Sequence, residues 1–366
     1  MLSRRAILAL PLAAACRSPK AVFRGYAFIA NQEGHALAAV DLQALAVARH
    51  IPLDGAPTQV AAAWTRSSIY ALTPETGTVH EIQSDRLSFL RKLTVASTAL
   101  SMRLDPGGQA LYVLASEPRA LIRVGLDSFR VEWRLILPGT PLDFDITADG
   151  TTGAVSLGAS VHFVDLAAQK LGAHVGTRDG NGDFGAARFR SDGRALIACD
   201  RSARLVSIYD VASAQLITHL PVPLRPETLC FKPDGGQLFI TGEGMDAVVI
   251  VNPFETEVAE TVLAGHAPGA MAASNNDLVI ANPQSGDVSI LDILSRKLVA
   301  VVSVGNDPGF VAITPGDQFA LVLNRKSGDV AVLRIGAVQR NRYSPAAPLI
   351  VIPVGSRPVS AAMPGV

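Results

Sequence analysis

The sequence predicts an all-β fold, a single β-propeller of four-stranded antiparallel blades. Two observations predict it: a repeat of about 42 residues and the lack of a sustained helical apolar period after residue 21. Apolar residues make up 49% of the 366-residue chain and charged residues only 17%, so the chain can bury a large core. Because no helical apolar period is sustained, helices are expected to contribute little.

Three features recur with this repeat: a Gly-x-x-Pro-like turn, an Asp-Gly-type turn, and a polar residue that ends an apolar strand. The Gly-x-x-Pro-like turn has degenerate copies near Ala99 and Phe184. The strand-ending polar residue appears eight times, at Asp41, Glu81, Asp127, Asp165, Asp210, Asn252, Asp292 and Arg334. Eight copies predict eight blades, and seven blades are the alternative.

Each repeat carries short apolar runs rich in Val, Ile, Leu and Phe. One copy predicts strands at Glu227–Phe231, Leu238–Thr241, Ala247–Val251 and Glu257–Leu263. Four strands in one such repeat form one propeller blade, and radial closure protects most sheet edges.

The two ends of the repeat region complement each other. The region begins with three strands within Tyr26–Ile51 and finishes with a lone strand at Val359–Met363. We expect these segments to share one blade and so to close the propeller. An insertion at Ala337–Ala347 is expected to form an exposed loop.

The N-terminus predicts export. Arg4 and Arg5 precede an apolar run, Ala6–Ala15, and Cys16 follows at once. This segment resembles a twin-arginine signal that ends in a lipobox, which implies cleavage before Cys16 and a lipid on its thiol. A plain signal peptide cleaved near Ala15 is the alternative. The predicted organisation is a signal at 1–15, a tether at 16–24 and a propeller at 25–366, in a periplasmic or cell-envelope protein.

Charge argues against a nucleic-acid partner, because 32 basic and 32 acidic residues cancel and leave no global field. We expect a monomer that contacts a membrane only through its lipid. Cys199 and Cys230 are the remaining cysteines. They could pair in an oxidising compartment, but each lies in an apolar strand pattern, which favours buried unpaired thiols.

Candidate binding residues lie in the loops expected around one mouth of the central channel. Arginines there could grip an anionic or polar ligand through paired donors. The alternative is that these arginines pair with neighbouring carboxylates. The candidates are Asn31, Glu33, His35, Asp200, Arg201, Arg225, Glu227, Glu243, His266, Asn282, Asn324, Arg325 and Arg357.

An incomplete calcium motif lies at Asp179, Asn181 and Asp183, where oxygen-bearing side chains alternate. Calcium prefers such ligands. An EF-hand loop would also need Gly and Glu where Phe184 and Arg190 stand. The seven histidines show no metal-ligand spacing. We therefore predict no cofactor, with Ca²⁺ as the one possible ion.

Two stretches of the repeat, Gly305–Asn324 and Arg225–Gly235, resemble the YVTN repeat of YncE-like propellers, and this resemblance extends at varying fidelity over residues 25–366. It implies a propeller, in that family usually of seven blades. The family contains exported binding proteins, surface-layer domains and many proteins of unknown role.

Three functions are consistent with this pattern. The leading hypothesis is a binding or protein-interaction module for a small ligand or an envelope protein, since no catalytic constellation appears and no catalytic residue is assigned. The first alternative is a lactonase-like hydrolase that uses Glu33, Glu243, His266 and Arg225 at the mouth. The second is a periplasmic propeller that holds haem d1 through mouth histidines, here His35 and His266.

Overall fold

The computed structural model describes residues 25–177, 180–340 and 349–364, and of residues 338–340 the backbone alone. Its strands form eight four-stranded antiparallel sheets, the blades of one propeller. The predicted fold class and eight blades are confirmed, and the alternative of seven is wrong. The export signal at 1–15, Cys16 and the tether lie outside the described residues.

Blade 1 is assembled from both ends of the described chain. Its strands, from the channel outwards, are β32 (Pro358–Ala362), β1 (Tyr26–Asn31), β2 (Ala36–Asp41) and β3 (Ala46–Pro52). Ile29 of β1 pairs with Ala361 of β32. The predicted closure is therefore confirmed, and the closing strand begins at Pro358, one residue earlier than predicted.

The next four blades follow in chain order, each with its first strand innermost. Blade 2 contains β4 (Gln59–Ala63), β5 (Ser68–Thr73), β6 (Thr78–Gln83) and β7 (Ser88–Thr94). Blade 3 contains β8 (Thr98–Leu104), β9 (Ala110–Glu117), β10 (Arg119–Gly125) and β11 (Arg130–Ile136). Blade 4 contains β12 (Asp143–Ile146), β13 (Thr152–Ser156), β14 (Ser160–Asp165) and β15 (Lys170–Gly176). Blade 5 contains β16 (Phe184–Phe189), β17 (Ala195–Asp200), β18 (Leu205–Asp210) and β19 (Leu216–Pro221).

The last three blades have the same order. Blade 6 contains β20 (Arg225–Phe231), β21 (Leu238–Glu243), β22 (Ala247–Asn252) and β23 (Glu257–Leu263). Blade 7 contains β24 (Met271–Ala273), β25 (Asp277–Asn282), β26 (Asp287–Asp292) and β27 (Lys297–Ser303). Blade 8 contains β28 (Pro308–Ile313), β29 (Phe319–Asn324), β30 (Asp329–Arg334) and β31 (Leu349–Pro353).

Helical structure is confined to two short segments of the described chain. A 3-10 turn spans Pro74–Thr76, and one helix, α1 (Ile335–Arg340), follows β30. The insertion that we expected to be a loop therefore begins as a helix. No helix in the described ranges combines the length and the apolar character needed to cross a bilayer.

The core lies between the blades. Eight clusters of buried apolar side chains fill the spaces between adjacent blades. Phe28 of β1 and Ile69 of β5, for example, pack in the cluster between blades 1 and 2. Fully burying one such side chain contributes about 1.5–3 kcal/mol, so the alternating apolar residues of each strand fix the stacking of the blades.

The innermost strands present one unpaired backbone edge to the channel, and buried backbone groups need partners. Side chains of the preceding blade supply some of them. Gln59 of β4 accepts a hydrogen bond from Met102 N (2.7 Å) and donates one to Met102 O (2.9 Å) in β8. Ser360 Oγ of β32 accepts from Val60 N at 3.2 Å. Polar side chains thus join neighbouring blades at the axis.

Both described cysteines are free, as the apolar pattern favours. Cys199 is buried between blades 5 and 6, and burial raises its pKa to about 12. Cys230 is half-buried, and burial raises its pKa to about 11. Since the thiolate is the reactive form, burial keeps both thiols in the less reactive protonated form.

Candidate functional site

The strand order places all thirteen candidate binding residues on one face of the propeller. This mouth face carries the loops that enter each innermost strand and the loops that join each second strand to the third. The candidates lie within these loops or in the strand residues beside them. They are nevertheless distributed around the rim, so most of them do not share a pocket.

Two of the mouth arginines occupy equivalent positions in different blades. In blade 5, Arg201 donates to Asp183 through Nη2, and through Nε at 3.2 Å. In blade 8, Arg325 Nη2 donates to Asp307 Oδ1 at 2.7 Å. Both pairs join residues 18 positions apart. The repeat therefore builds the same ion pair twice.

Glycine allows both arginines to lie across their innermost strands. A Cβ on Gly185 would lie 3.2 Å from Arg201 Cδ, and one on Gly309 would collide with the Arg325 guanidinium. The side chain of each arginine is thereby held against the mouth end of its own blade.

The other two mouth arginines each pair with a glutamate of their own blade. Arg225 Nη1 lies 3.4 Å from Glu243 Oε2, and Arg357 Nη1 lies 3.4 Å from Glu33 Oε1. All four side chains are substantially exposed. Such pairs contribute about 0–1 kcal/mol, so they are weak enough for a ligand to compete with them.

Four candidates are buried and stabilise the mouth loops. Asn31, Asn282, Asn324 and Asp200 are at most 2% exposed. Asn31 Nδ2 donates to Val354 O (2.6 Å) and Asn324 Nδ2 to Val304 O (3.0 Å), both in loops that enter the blade of that asparagine. These side chains position the loops between strands.

The two mouth histidines are exposed and lie in different blades. His266 Nδ1 lies 2.8 Å from Asp246 Oδ2, which holds the imidazole beside a carboxylate of the same face. His35 lies in the loop between β1 and β2 of blade 1.

A charged network lines the channel at blades 3, 4 and 5. Asp145 Oδ2 accepts from Phe189 N at 2.8 Å, and Asp143 Oδ2 accepts from Ala187 N at 3.3 Å. Two carboxylates of β12 thus pair with the free backbone edge of β16.

Two arginines complete this network. Arg188 Nη1 donates to Asp143, while Arg103 Nε donates to Phe144 O at 2.7 Å. The terminal nitrogens of Arg103 lie 3.6 Å from Asp145 Oδ1 and 3.8 Å from Asp143 Oδ1. Burial, and then the nearby charge of Arg188, lower the pKa of Arg103. The two guanidiniums therefore lie close together between two carboxylates.

A cavity of about 430 Å³ opens beside this network, where blades 4, 5 and 6 meet. Its size lies in the range of small-molecule sites. Arg188 and Arg201 line it from blade 5, and Glu227 lines it from blade 6. Within the described part of the chain, Glu227 has no side-chain hydrogen bond or ion pair. The apolar contribution comes from Leu142, 43% exposed, and from Leu229.

The structure brings five predicted residues together here, four binding candidates and Asp183 of the calcium motif. Asp183 lies between Arg201 and Arg225, whose Nη2 is 3.8 Å away, and Arg225 in turn pairs with Glu243. Glu227 lines the adjacent cavity. Blades 5 and 6 therefore carry the densest group of charged residues that the sequence analysis identified.

Sequence reasoning missed Arg103, Asp143, Asp145 and Arg188, because we sought ligand groups in loops and these residues lie inside innermost strands. The sequence nevertheless contained one indication of this network. Asp143 and Arg188 are bonded 45 positions apart, close to one repeat. Opposite charges in strands one repeat apart indicate a contact between neighbouring blades.

The calcium motif is only partly described, since Asp179 lies outside the described residues. Asp183 binds Arg201 and also accepts from Ser202 Oγ at 3.0 Å. The bond from Arg201 lowers the pKa of Asp183, with smaller contributions from Ser202 and Arg225. A cation would compete with two guanidiniums for this carboxylate. Across residues 25–177, 180–340 and 349–364, no three His, Cys, Asp or Glu side chains form a group suited to a metal ion. Calcium stays a prediction.

Comparison with known proteins shows the fold alone. No family model and no curated protein sequence matches the chain. Among solved structures, it is similar to dihydro-heme d1 dehydrogenase NirN in complex with DHE, with a TM-score of 0.74 and 11% identity over 96% of this chain and 78% of that one. It is also similar to the hydrazine synthase of Kuenenia stuttgartiensis, with a TM-score of 0.59 and 18% identity over 84% of this chain and 91% of that one.

Proposed function

We propose that this protein is a binding module that takes a small polar or anionic ligand at the mouth of its channel, over blades 4, 5 and 6. The observation that carries the proposal is the cavity into which both Arg188 and Arg201 project. Guanidiniums suit carboxylates and phosphates, because they offer two parallel donors in a fixed plane.

The arrangement is preorganised for binding. Arg201 is tied to Asp183 and lies against Gly185, while Arg188 is tied to Asp143. Because both side chains are already ordered, they lose less conformational entropy when a ligand binds. Innermost strands hold Arg188 and Glu227, so these groups rest on rigid elements.

The hydrolase alternative has less support. A general base works best with a pKa near the working pH, and the pKa of Asp183 is lowered from its ordinary value by Arg201. Glu33 and Glu243 are exposed and paired with arginines at the rim. None of the described histidines lines this cavity.

The haem alternative rests on the likeness to NirN, which is 11% identical, and on His35 and His266. Both histidines lie on the mouth face and outside the lining of this cavity. A polar or anionic ligand therefore fits the lining better than a group held by an imidazole.

Export and membrane anchoring belong to the same proposal, as does membership of the YncE-like propellers, for which the YVTN-like repeats are the support. We propose that the mature protein begins at a lipid-modified Cys16 and binds its ligand, or an envelope protein, in the periplasm or cell envelope. The Cys16→Ser variant should move from the membrane to the soluble fraction. Mass spectrometry that finds no lipid on Cys16 would overturn the anchor.

The ligand proposal is tested with two matched variants. Arg201→Gln removes a cavity guanidinium, and Arg325→Gln removes its equivalent in blade 8, outside that cavity. We would screen wild-type protein by thermal shift against small carboxylates, phosphates and amino acids, and measure the best binder by calorimetry. Arg201→Gln should weaken binding at least tenfold and Arg325→Gln less than twofold. Equal effects of the two variants, or no binder in the screen, would overturn the proposed site.

A further inference from the structure

We infer that the ligand of this cavity is a zwitterion, a small molecule that carries both a carboxylate and an ammonium group, such as a free amino acid with an apolar side chain. This inference rests on the proposed binding function and names its ligand class.

Charges of both signs line the cavity from different blades. Blade 5 contributes the Arg188 and Arg201 guanidiniums, and blade 6 contributes the Glu227 carboxylate. Each arginine has a carboxylate partner. Glu227 has none among the described side chains and is exposed, so its carboxylate is available to a positive group of a ligand.

A purely anionic ligand leaves that charge uncompensated. It would approach the arginines and meet Glu227 and Asp143 in the same lining, and like charges close together are unfavourable. A purely cationic ligand meets the two guanidiniums instead. A molecule with both charges can place its carboxylate near blade 5 and its ammonium group near blade 6, and each charge then finds its complement.

The apolar part of the lining extends this complementarity. Leu142 and Leu229 border the cavity from blades 4 and 6, and Leu142 leaves 43% of its surface exposed. Covering such surface with an apolar ligand group is favourable. The lining thus matches the carboxylate, the ammonium group and the apolar side chain of one α-amino acid.

The test compares ligands that differ by one charge. Leucine, isoleucine, valine, methionine and phenylalanine would be titrated into wild-type protein by calorimetry. For the best binder, the same measurement would be made with the acid that lacks the amino group and with the amine that lacks the carboxylate. We expect each analogue to bind at least tenfold more weakly than the amino acid.

A charge-only variant then assigns the ammonium site. Glu227→Gln keeps the size of the side chain and should weaken amino-acid binding at least tenfold, while the acid without the amino group should bind as tightly as before or more tightly, because a like charge has been removed from the lining. Glu257→Gln, at an exposed position in the outermost strand of the same blade, serves as the control and should leave both ligands unaffected.

The outcomes separate the two claims. If carboxylates bind through Arg201 but the amino group adds nothing and Glu227→Gln has no effect, the zwitterion inference is wrong and the binding site stands. If neither amino acids, carboxylates nor phosphates bind wild-type protein up to about 10 mM, roughly −2.7 kcal/mol by affinity arithmetic, both claims fall.

Discussion

The two sides of the central channel differ in charge although the same repeat builds them. On the side of blades 3–6, the innermost strands contain six charged residues: Arg103, Asp143, Asp145, Arg188, Arg225 and Glu227. On the side of blades 7, 8, 1 and 2, the innermost strands β24, β28, β32 and β4 contain none. We name these the charged side and the uncharged side.

This difference separates the features that the repeat gives to every blade from those that belong to the candidate site alone. The repeat gives every blade the same strand order and gives blades 5 and 8 the same arginine-aspartate pair. Of these two arginines, Arg201 lies beside charged residues of innermost strands that line a cavity. Arg325 does not, because the innermost strands beside it carry small or apolar residues. Substitutions within the repeat, rather than the repeat itself, produce the candidate site.

The largest effect should come from removing the closing strand on the uncharged side. Deletion of residues 356–366 removes β32 and leaves the inner edge of β1 unpaired. Free backbone groups and an apolar edge would then be exposed. We expect loss of a large share of a total stability of about 5–15 kcal/mol, seen as aggregation and loss of a cooperative thermal transition. Deletion of 364–366 alone is the control, and a fully stable 356–366 deletion would contradict the closure.

A smaller effect is expected from one carboxylate on the charged side. Asp145→Ala removes the acceptor of Phe189 N and one of the two carboxylates beside Arg103. Loss of a largely buried charged acceptor costs about 2–4 kcal/mol, measurable by urea unfolding. Asp145→Asn keeps an acceptor oxygen and should cost less. If Asp145→Ala proves neutral, the inner-strand charges do not hold the blades together.

The equivalent contact on the uncharged side should matter less. Ser360→Ala removes the acceptor of Val60 N, and a neutral hydrogen bond contributes about 0.5–1.5 kcal/mol. The same unfolding experiment should place Ser360→Ala below Asp145→Ala. A reversed order would show that charge does not distinguish the two sides energetically.

The two sides should also respond to acid at different pH values. On the uncharged side, His80 is 1% exposed, and burial lowers its pKa below the ordinary 6.5. The unfolded chain then binds the proton more readily, so this contribution to stability is present above about pH 6.5 and is lost as pH falls through the folded-state pKa. On the charged side, Asp183 has a pKa lowered from 3.8, so its contribution is lost only in stronger acid.

The melting temperature of His80→Gln should therefore decrease less between pH 7 and pH 5 than that of the wild-type protein. His35→Gln, at an exposed position, should show the wild-type decrease. Melting curves at half-unit pH steps would measure this. An unchanged slope in His80→Gln would contradict the assigned role of the buried imidazole.

The fold was more predictable than the site, for a physical reason. Turn residues and alternating apolar residues are local, so the sequence predicts the strands of each blade and even the closing strand, expected at Val359–Met363 and found at Pro358–Ala362. Cavity lining depends on contacts between residues about one repeat apart, such as Asp143 with Arg188, and no local pattern reveals which neighbour a side chain meets. The positions of Asn31 and Asn324 in the sequence suggested contact with a ligand, but both side chains are buried. Position along the repeat therefore did not predict their exposure.

A crystal structure of the protein with the best-binding small molecule from the ligand screen would locate the binding site. We expect the ligand to lie on the charged side, within hydrogen-bond distance of Arg188 and Arg201 and beside Glu227. A ligand on the uncharged side, near Arg325 or Arg357, or on the opposite face of the propeller, would contradict this expectation.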